Sequence, residues 1–91
     1  MAEVHDNRSQ HRFEMAEQGQ TVFADYRRDG RRLIIDHVEA PISLRGTGAA
    51  GRFMEGLVAA AAAEGSIIVP ICSYAVAWLG RHPALAAGVV E

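Results

Sequence analysis

The chain has 91 residues, 49% of them hydrophobic, with nine arginines, no lysine and a net charge of −2. It is one small domain able to bury roughly 60–65% of its unfolded surface, too apolar to be disordered and without the basic balance that nucleic acid or an anionic membrane would call for. The absence of lysine excludes Schiff-base and P-loop lysine chemistry, and the single Cys72 excludes an intrachain disulfide and any multi-cysteine metal site; one unpaired cysteine fits a reducing, cytoplasmic setting.

Residues 1–10 read as a polar lead-in, without the apolar core of a signal peptide. From His11 to Glu17 the chain alternates, Phe13 and Met15 on one face and Arg12 and Glu14 on the other, which predicts a half-buried strand. Gly19 marks a turn. Thr21 to Arg27 carries Val22, Ala24 and Tyr26 on one side of a second strand. Asp29-Gly30 predicts a hairpin with a type I′ turn, which needs positive φ at both central positions. A third strand runs from Arg32 to Val38, and plain alternation places Leu33, Ile35 and His37 on one face and Ile34, Asp36 and Val38 on the other.

A glycine-rich stretch, Pro41 to Gly51, leads into a helix over 47–64, whose apolar positions Ala50, Phe53, Met54, Leu57, Val58 and Ala61 recur at helical spacing. Gly65 is placed to end it. Gly51 and Gly56 inside the helix cost roughly 1 kcal/mol each relative to alanine, and close packing against a sheet or a ligand would explain them. The apolar run Ile67, Ile68, Val69 and Ile71 predicts a strand covered on both faces, as in parallel pairing. Pro70 has no N–H, so the strand should lack a partner on one side near its end. A shorter helix follows from about Ser73 to Gly80, Pro83 should break it, and 84–91 is an uncommitted tail. The longest apolar stretch, near Leu57–Ala63, is far too short to cross a bilayer. The expected fold is α+β: a single domain over 1–91 in which a three-stranded antiparallel meander precedes a helix–strand–helix crossover.

The chemistry concentrates where the third strand hands over to the first helix. The first amides of a helix have no intrahelical partner and its dipole favours negative charge there. Arg45 sits at the same point with a fork of donors suited to phosphate. Gly46-Thr47-Gly48-Ala49-Ala50-Gly51 matches G-x-G-x-x-G, but a dinucleotide fold does not fit. The turn follows a hairpin, too few residues come after it, and the acid expected roughly 20 positions on is replaced by Val69-Pro70-Ile71-Cys72. A Walker loop fails for want of Gly-Lys-Ser/Thr.

Arg45-Gly46-Thr47-Gly48-Ala49-Ala50 also matches Arg/Gln-x-x-Gly-x-Gly/Ala. In order along the chain stand Arg12-Phe13-Glu14, His37-Val38-Glu39-Ala40-Pro41, Arg45-Gly46-Thr47-Gly48, Val69-Pro70-Ile71-Cys72 and Arg81-His82-Pro83. In these five segments the chain resembles the small single-domain group of the GNAT N-acetyltransferase superfamily, over about residues 4–87. The resemblance implies two strands that splay apart beside the main helix, with acetyl-CoA lying in the gap. Val38 to Ala40 would then meet the pantetheine, and Leu44 and Arg45 to Ala50 the pyrophosphate, Gly46, Thr47, Gly48 and Ala49 among them. Trp78 and Arg81 on the last helix would lie near the cofactor. The acceptor would be an amine on a protein, a peptide or a small molecule, with no metal, nucleic acid or membrane as partner.

Acetyl transfer needs a base for the amine, donors for the oxyanion and an acid for the thiolate. His37 is the natural base by its chemistry, or else a packed histidine on the face of Leu33 and Ile35. Cys72, ahead of a helix, could act as a nucleophile, or line the pocket as buried cysteines commonly do. Glu39 is a second base candidate, or a solvated charge. His5, His11 and His82 have no partner at metal-ligand spacing. The tyrosine that many GNAT enzymes carry on the last helix is replaced at Leu79, beside Trp78, so Tyr74 or water is left to serve as acid. Two readings follow: an acetyl-CoA-dependent N-acetyltransferase, and a CoA- or acyl-CoA-binding module without efficient catalysis. A third reading is covalent acyl carriage on Cys72.

Overall fold

The computed structural model describes residues 3–91. Five strands form one sheet in the order β1 (Val4–Asn7), β2 (Arg12–Glu17), β3 (Gln20–Asp29), β4 (Arg32–Glu39), β5 (Ile67–Pro70). The first four run antiparallel, and β5 lies parallel to β4. Helix α1 (Ala49–Glu64) is the crossover between β4 and β5, and α2 (Ser73–Arg81) and α3 (Pro83–Ala86) follow. The architecture is the expected α+β fold.

Alternation decides which face is covered. Phe13, Met15, Val22, Ala24, Tyr26, Leu33, Ile35 and Ile68 are buried and form one core with Phe53, Met54, Leu57 and Ala61 of α1 and Ala75, Trp78 and Leu79 of α2. Their neighbours Arg12, Glu14, Phe23, Asp25, Arg27 and Ile34 are half-buried or exposed, so the opposite face of the sheet stays open to solvent.

Three local expectations change. The lead-in, as far as its residues 4–7 are concerned, is a strand: Val4 pairs opposite Met15 and Asn7 opposite Arg12. Only Val4 of its four residues is apolar, and the inward Asp6 is made tolerable by Tyr26 Oη (2.6 Å) and Arg28 (2.9 Å), partners that local sequence does not reveal. This strand also explains Gly56, because a Cβ there would run into Val4. The hairpin turn at the tip of β3 centres on Gly30 and Arg31, with positive φ at Gly30 (59°) but not at Arg31, so it has the character of type II′. The type I′ pattern lies instead at Gln18 (51°) and Gly19 (74°), between β2 and β3. The tail gains α3 and then returns beside β5, where Ile68 bridges Val90 and Val89 is buried.

A further change positions the site. Tyr26 pairs with Ile35 and Asp25 with His37, so Asp36 is an extra residue, a bulge in β4. A bulge shifts the alternation by one. Before it Leu33 and Ile35 face the core; after it Val38 and then Ala40 pack against the core. His37 therefore points to the open face, opposite to Leu33 and Ile35 and contrary to plain alternation.

Candidate functional site

Pairing between β4 and β5 ends at Ile35 and Pro70, whereas β4 continues to Glu39. The last contacts are Ile71 N–H and Cys72 N–H, both donating to Ile35 O (3.0 and 3.2 Å). Pro70 thus sits where the strands part, as its missing donor requires. On β4 the core-facing residues turn their peptide groups toward β5, as Ile35 O shows. Past the bulge that phase passes to Val38 and Ala40, leaving a strand edge without a neighbour among the described residues.

A cleft of about 270 Å³ opens at this edge, lined by Val38, Ala40, Arg45, Ala50 and Tyr74. Its floor is the loop from β4 to α1. A 3₁₀ turn at Ile42–Leu44 drops Leu44 into the core, and Leu44 O accepts both the N–H (3.2 Å) and the hydroxyl of Thr47. Leu44 and Thr47 therefore hold the loop's shape. Thr47 Oγ1 also accepts from Ala49 N–H (3.3 Å), and Ala49 is buried. Gly46 (79°) and Gly48 (83°) take the left-handed conformation that turns the chain into α1. Among the described residues, the N–H groups of Gly46, Gly48, Ala50 and Gly51 find no acceptor. They are the orphan donors of a helix start.

Charge distinguishes this floor from the rest of the surface. Arg8, Arg12, Arg27, Arg28, Arg32 and Arg52 each meet a carboxylate, and Arg31 donates to Gly65 O (3.0 Å). Arg45 and Arg81 have no hydrogen bond or ion pair among the described residues. Arg45 lines the cleft. Arg81 lies on α2 with Tyr74 and Trp78, at the four- and three-residue spacings that share one helical face. Trp78 is buried, stacks on His82 at 3.9 Å, and brings its Nε1 edge against Gly51 in the first turn of α1. Burial pushes the Tyr74 phenol above its ordinary range, with Arg81 opposing and Cys72 adding to the shift. That hydroxyl stays protonated, a donor on the cleft wall.

Cys72 is half-buried at the N-cap of α2 and packs against the core. His37 is exposed on the open face, where Nε2 lies 3.0 Å from Glu39 Oε1 and the ring meets Phe23 edge-on. The structure thus gathers Val38, Ala40, Arg45 and Ala50 into one cleft and adds Tyr74 as a wall, while His37 and Cys72 belong to different sides of the sheet. The signal for the re-aimed His37 is present in the chain: apolar positions switch from odd (Leu33, Ile35) to even (Val38, Ala40) across Asp36.

No helix among the described residues is long and apolar enough to cross a membrane. A scan against protein families matches residues 12–88 to a family described as GCN5-related N-acetyl-transferase. A search of curated proteins finds no match.

Proposed function

The chain belongs to the GCN5-related N-acetyltransferase family, and from that premise we propose that it binds acetyl-CoA in the cleft beside β4 and passes the acetyl group to an amine. The observation that carries this reading is the coincidence, in one cleft, of an unpaired strand edge, a helix start with free amides and an arginine with no carboxylate partner. The edge at Val38 and Ala40 offers peptide groups to an extended amide-bearing arm, as in strand addition. Arg45 and the amides of Gly46, Gly48, Ala50 and Gly51 suit a pyrophosphate. Arg81, on the Tyr74 side of the cleft, adds positive charge. Tyr74, a protonated phenol on the cleft wall, suits the role of acid to a departing thiolate.

Calorimetric titration with acetyl-CoA tests the binding half. Wild type should give saturable heat, and Arg45→Glu should weaken affinity at least about tenfold, the scale of a lost charge-assisted hydrogen bond. No heat in wild type, or equal affinity in the variant, overturns it.

One observation favours the second reading, a CoA-binding module with little catalysis: the side chains lining the cleft include an acid, Tyr74, but no base. Product formation across a panel of amines and peptides, followed by mass spectrometry, separates the two. A mass gain of one acetyl group on the protein itself, lost in Cys72→Ser, would assign Cys72 as a covalent carrier.

A further inference from the structure

The loop that floors the cleft is held from behind. Arg52 stands at the start of α1 but does not line the cleft. Its Nε and Nη2 donate to the two carboxylate oxygens of Glu17 at 3.1 and 2.5 Å, and its Nη1 donates to Thr47 O at 3.0 Å. Glu17 is the last residue of β2 and lies directly across from Gln20 on β3. Gln20 Nε2 in turn donates to Ser43 Oγ, in the 3₁₀ turn of the same loop. The closed end of the β2–β3 hairpin therefore braces the loop at two points, at Ser43 directly and at Thr47 through Arg52. Gly48 packs against this brace: a Cβ there would meet Arg52 Nη1 at 3.0 Å.

From this arrangement we infer that Arg52 and Glu17 are positioning residues, which fix the Thr47–Gly48 peptide group so that the Gly48 N–H faces the pyrophosphate of the cofactor. The inference rests on the reading of acetyl-CoA in the cleft and adds to it two residues that do not touch the ligand. The peptide is trans, so its carbonyl and its N–H point in opposite directions. Arg52 pins the carbonyl on the side of β2, which lies two strands from β4 and away from β5. The N–H is thereby turned the other way, toward the free edge of β4, and it meets no acceptor among the described residues.

Without the pin the choice of direction is open. Glycine adopts positive and negative φ about equally readily, so the peptide before Gly48 could rotate and present the negative end of its dipole to the anion. Arginine suits the task because its planar fork serves a carboxylate and a carbonyl at once, whereas a lysine ammonium is a point charge on a flexible stem. Glu17 keeps the fork in one orientation, and its own side chain is largely buried against the hairpin end.

The test has two arms. First, in the protein alone, residual dipolar couplings report the direction of the Gly48 N–H bond relative to the amides of α1. Arg52→Met and Glu17→Ala should each change that direction. An unchanged direction in either variant overturns the proposal without involving acetyl-CoA. Second, affinity is measured for acetyl-CoA by calorimetry and for S-acetylpantetheine, the same arm without the pyrophosphate, by NMR titration. Both variants should bind acetyl-CoA about tenfold more weakly and S-acetylpantetheine as the wild type does. Glu17→Ala decides by sign. It removes a negative charge from the neighbourhood of an anion, so charge alone would tighten acetyl-CoA binding. Equal or tighter binding overturns the proposal, and so does an equal loss with both probes, which marks damage to the whole cleft. Arg52→Lys keeps the charge and loses the fork, and should behave as Arg52→Met does. Wild-type affinity in Arg52→Lys would put a charge effect in the place of positioning and overturn the proposal. Absent heat with acetyl-CoA in the wild type sinks the cofactor reading alone, since the first arm reads the brace by itself.

Discussion

Two of the cavities among the described residues are nearly equal in size and chemically opposite. One, of about 260 Å³, is lined by Arg8, His11, Tyr26 and Arg28; the other, of about 270 Å³, is the cleft at Val38, Arg45 and Tyr74. In the first, each strong charge meets an opposite one, although Arg28 Nε itself finds no acceptor among the described residues. Asp6 accepts from Tyr26 Oη, Arg28 and Arg8, and Glu64 takes the other end of Arg28 at 2.6 Å. Those bonds tie β1, β3 and the end of α1 together, which makes the cavity a clamp. In the second, Arg45 and the amides at the start of α1 are left over. Volume does not separate a structural hollow from a binding site here; an arginine with no carboxylate partner beside the free amides of a helix start does.

The comparison breaks if the clamp proves dispensable. Asp6→Ala leaves the half-buried Tyr26 hydroxyl and Arg28 short of an acceptor, and should cost about 2–3 kcal/mol. In a chain of this size that lowers Tm by roughly 10 °C or more. Binding of acetyl-CoA at a temperature where the variant is folded should not change. Arg45→Glu is the mirror case, with weakened binding and an unaltered Tm. Should each variant show the other's phenotype, the roles assigned to the two cavities are reversed.

A smaller effect separates the two glycines of α1. Gly56 lies in the middle of α1 against β1, where a Cβ would meet Val4 Cβ at 3.0 Å and its methyl more closely still. Gly56→Ala should therefore destabilise by about 1–2 kcal/mol despite alanine's better helix propensity, and Val4→Ala in the same chain should recover part of the loss. Gly51 lies at the open end, with only an ordinary contact of 3.6 Å to Trp78 Nε1. Gly51→Ala should be neutral or slightly stabilising by thermal melt. Equal gains at both positions would mean that helix propensity, and not the approach of β1, decides the outcome.

The same contrast marks what could be read from the chain alone. The loop was legible because its determinants are local: Gly46 and Gly48 supply the turn, and Arg45 stands beside it. Pro70 announced the parting of β4 and β5 for a reason as local as a missing N–H. What escaped was set at a distance. Asp6 faces inward in a strand only because Tyr26 and Arg28, some twenty residues on, satisfy it. His37 faces outward only because β4 makes room for Asp36 against β3, a choice of register that alternation within one strand does not record. The chain does carry one local trace of it: the apolar phase changes from Ile35 to Val38, the mark of a bulge that moves His37 to the other face. Tyr74 was seen only as a stand-in for a missing acid; its place in the cleft needed the turn of α2 off the end of β5.

The smallest predicted effect also belongs to the clamp. The Arg28 guanidinium holds the Glu64 carboxyl below its ordinary value of 4.5, against the opposing pull of burial, with Ser66 and Arg8 helping. A carboxyl depressed in the folded state stabilises the fold above its unfolded pKa, and the benefit fades as pH falls through the folded value. Stability should thus be level near neutrality and begin to decline once pH drops below about 4.5. The decline should be gentle, because Glu64 is partly exposed and the pair is screened. Glu14 and Glu17 shift in the same direction through Arg12 and Arg52, so Glu64→Gln should flatten the acid slope without abolishing it. Denaturant melts of wild type and Glu64→Gln across that range provide the check, and parallel slopes would place the acid-sensitive charge outside the clamp. The cleft lining has no carboxylate to titrate in this window, so the slope reports on the clamp and on the other ion pairs that hold the sheet together, not on Arg45 or the helix start it accompanies.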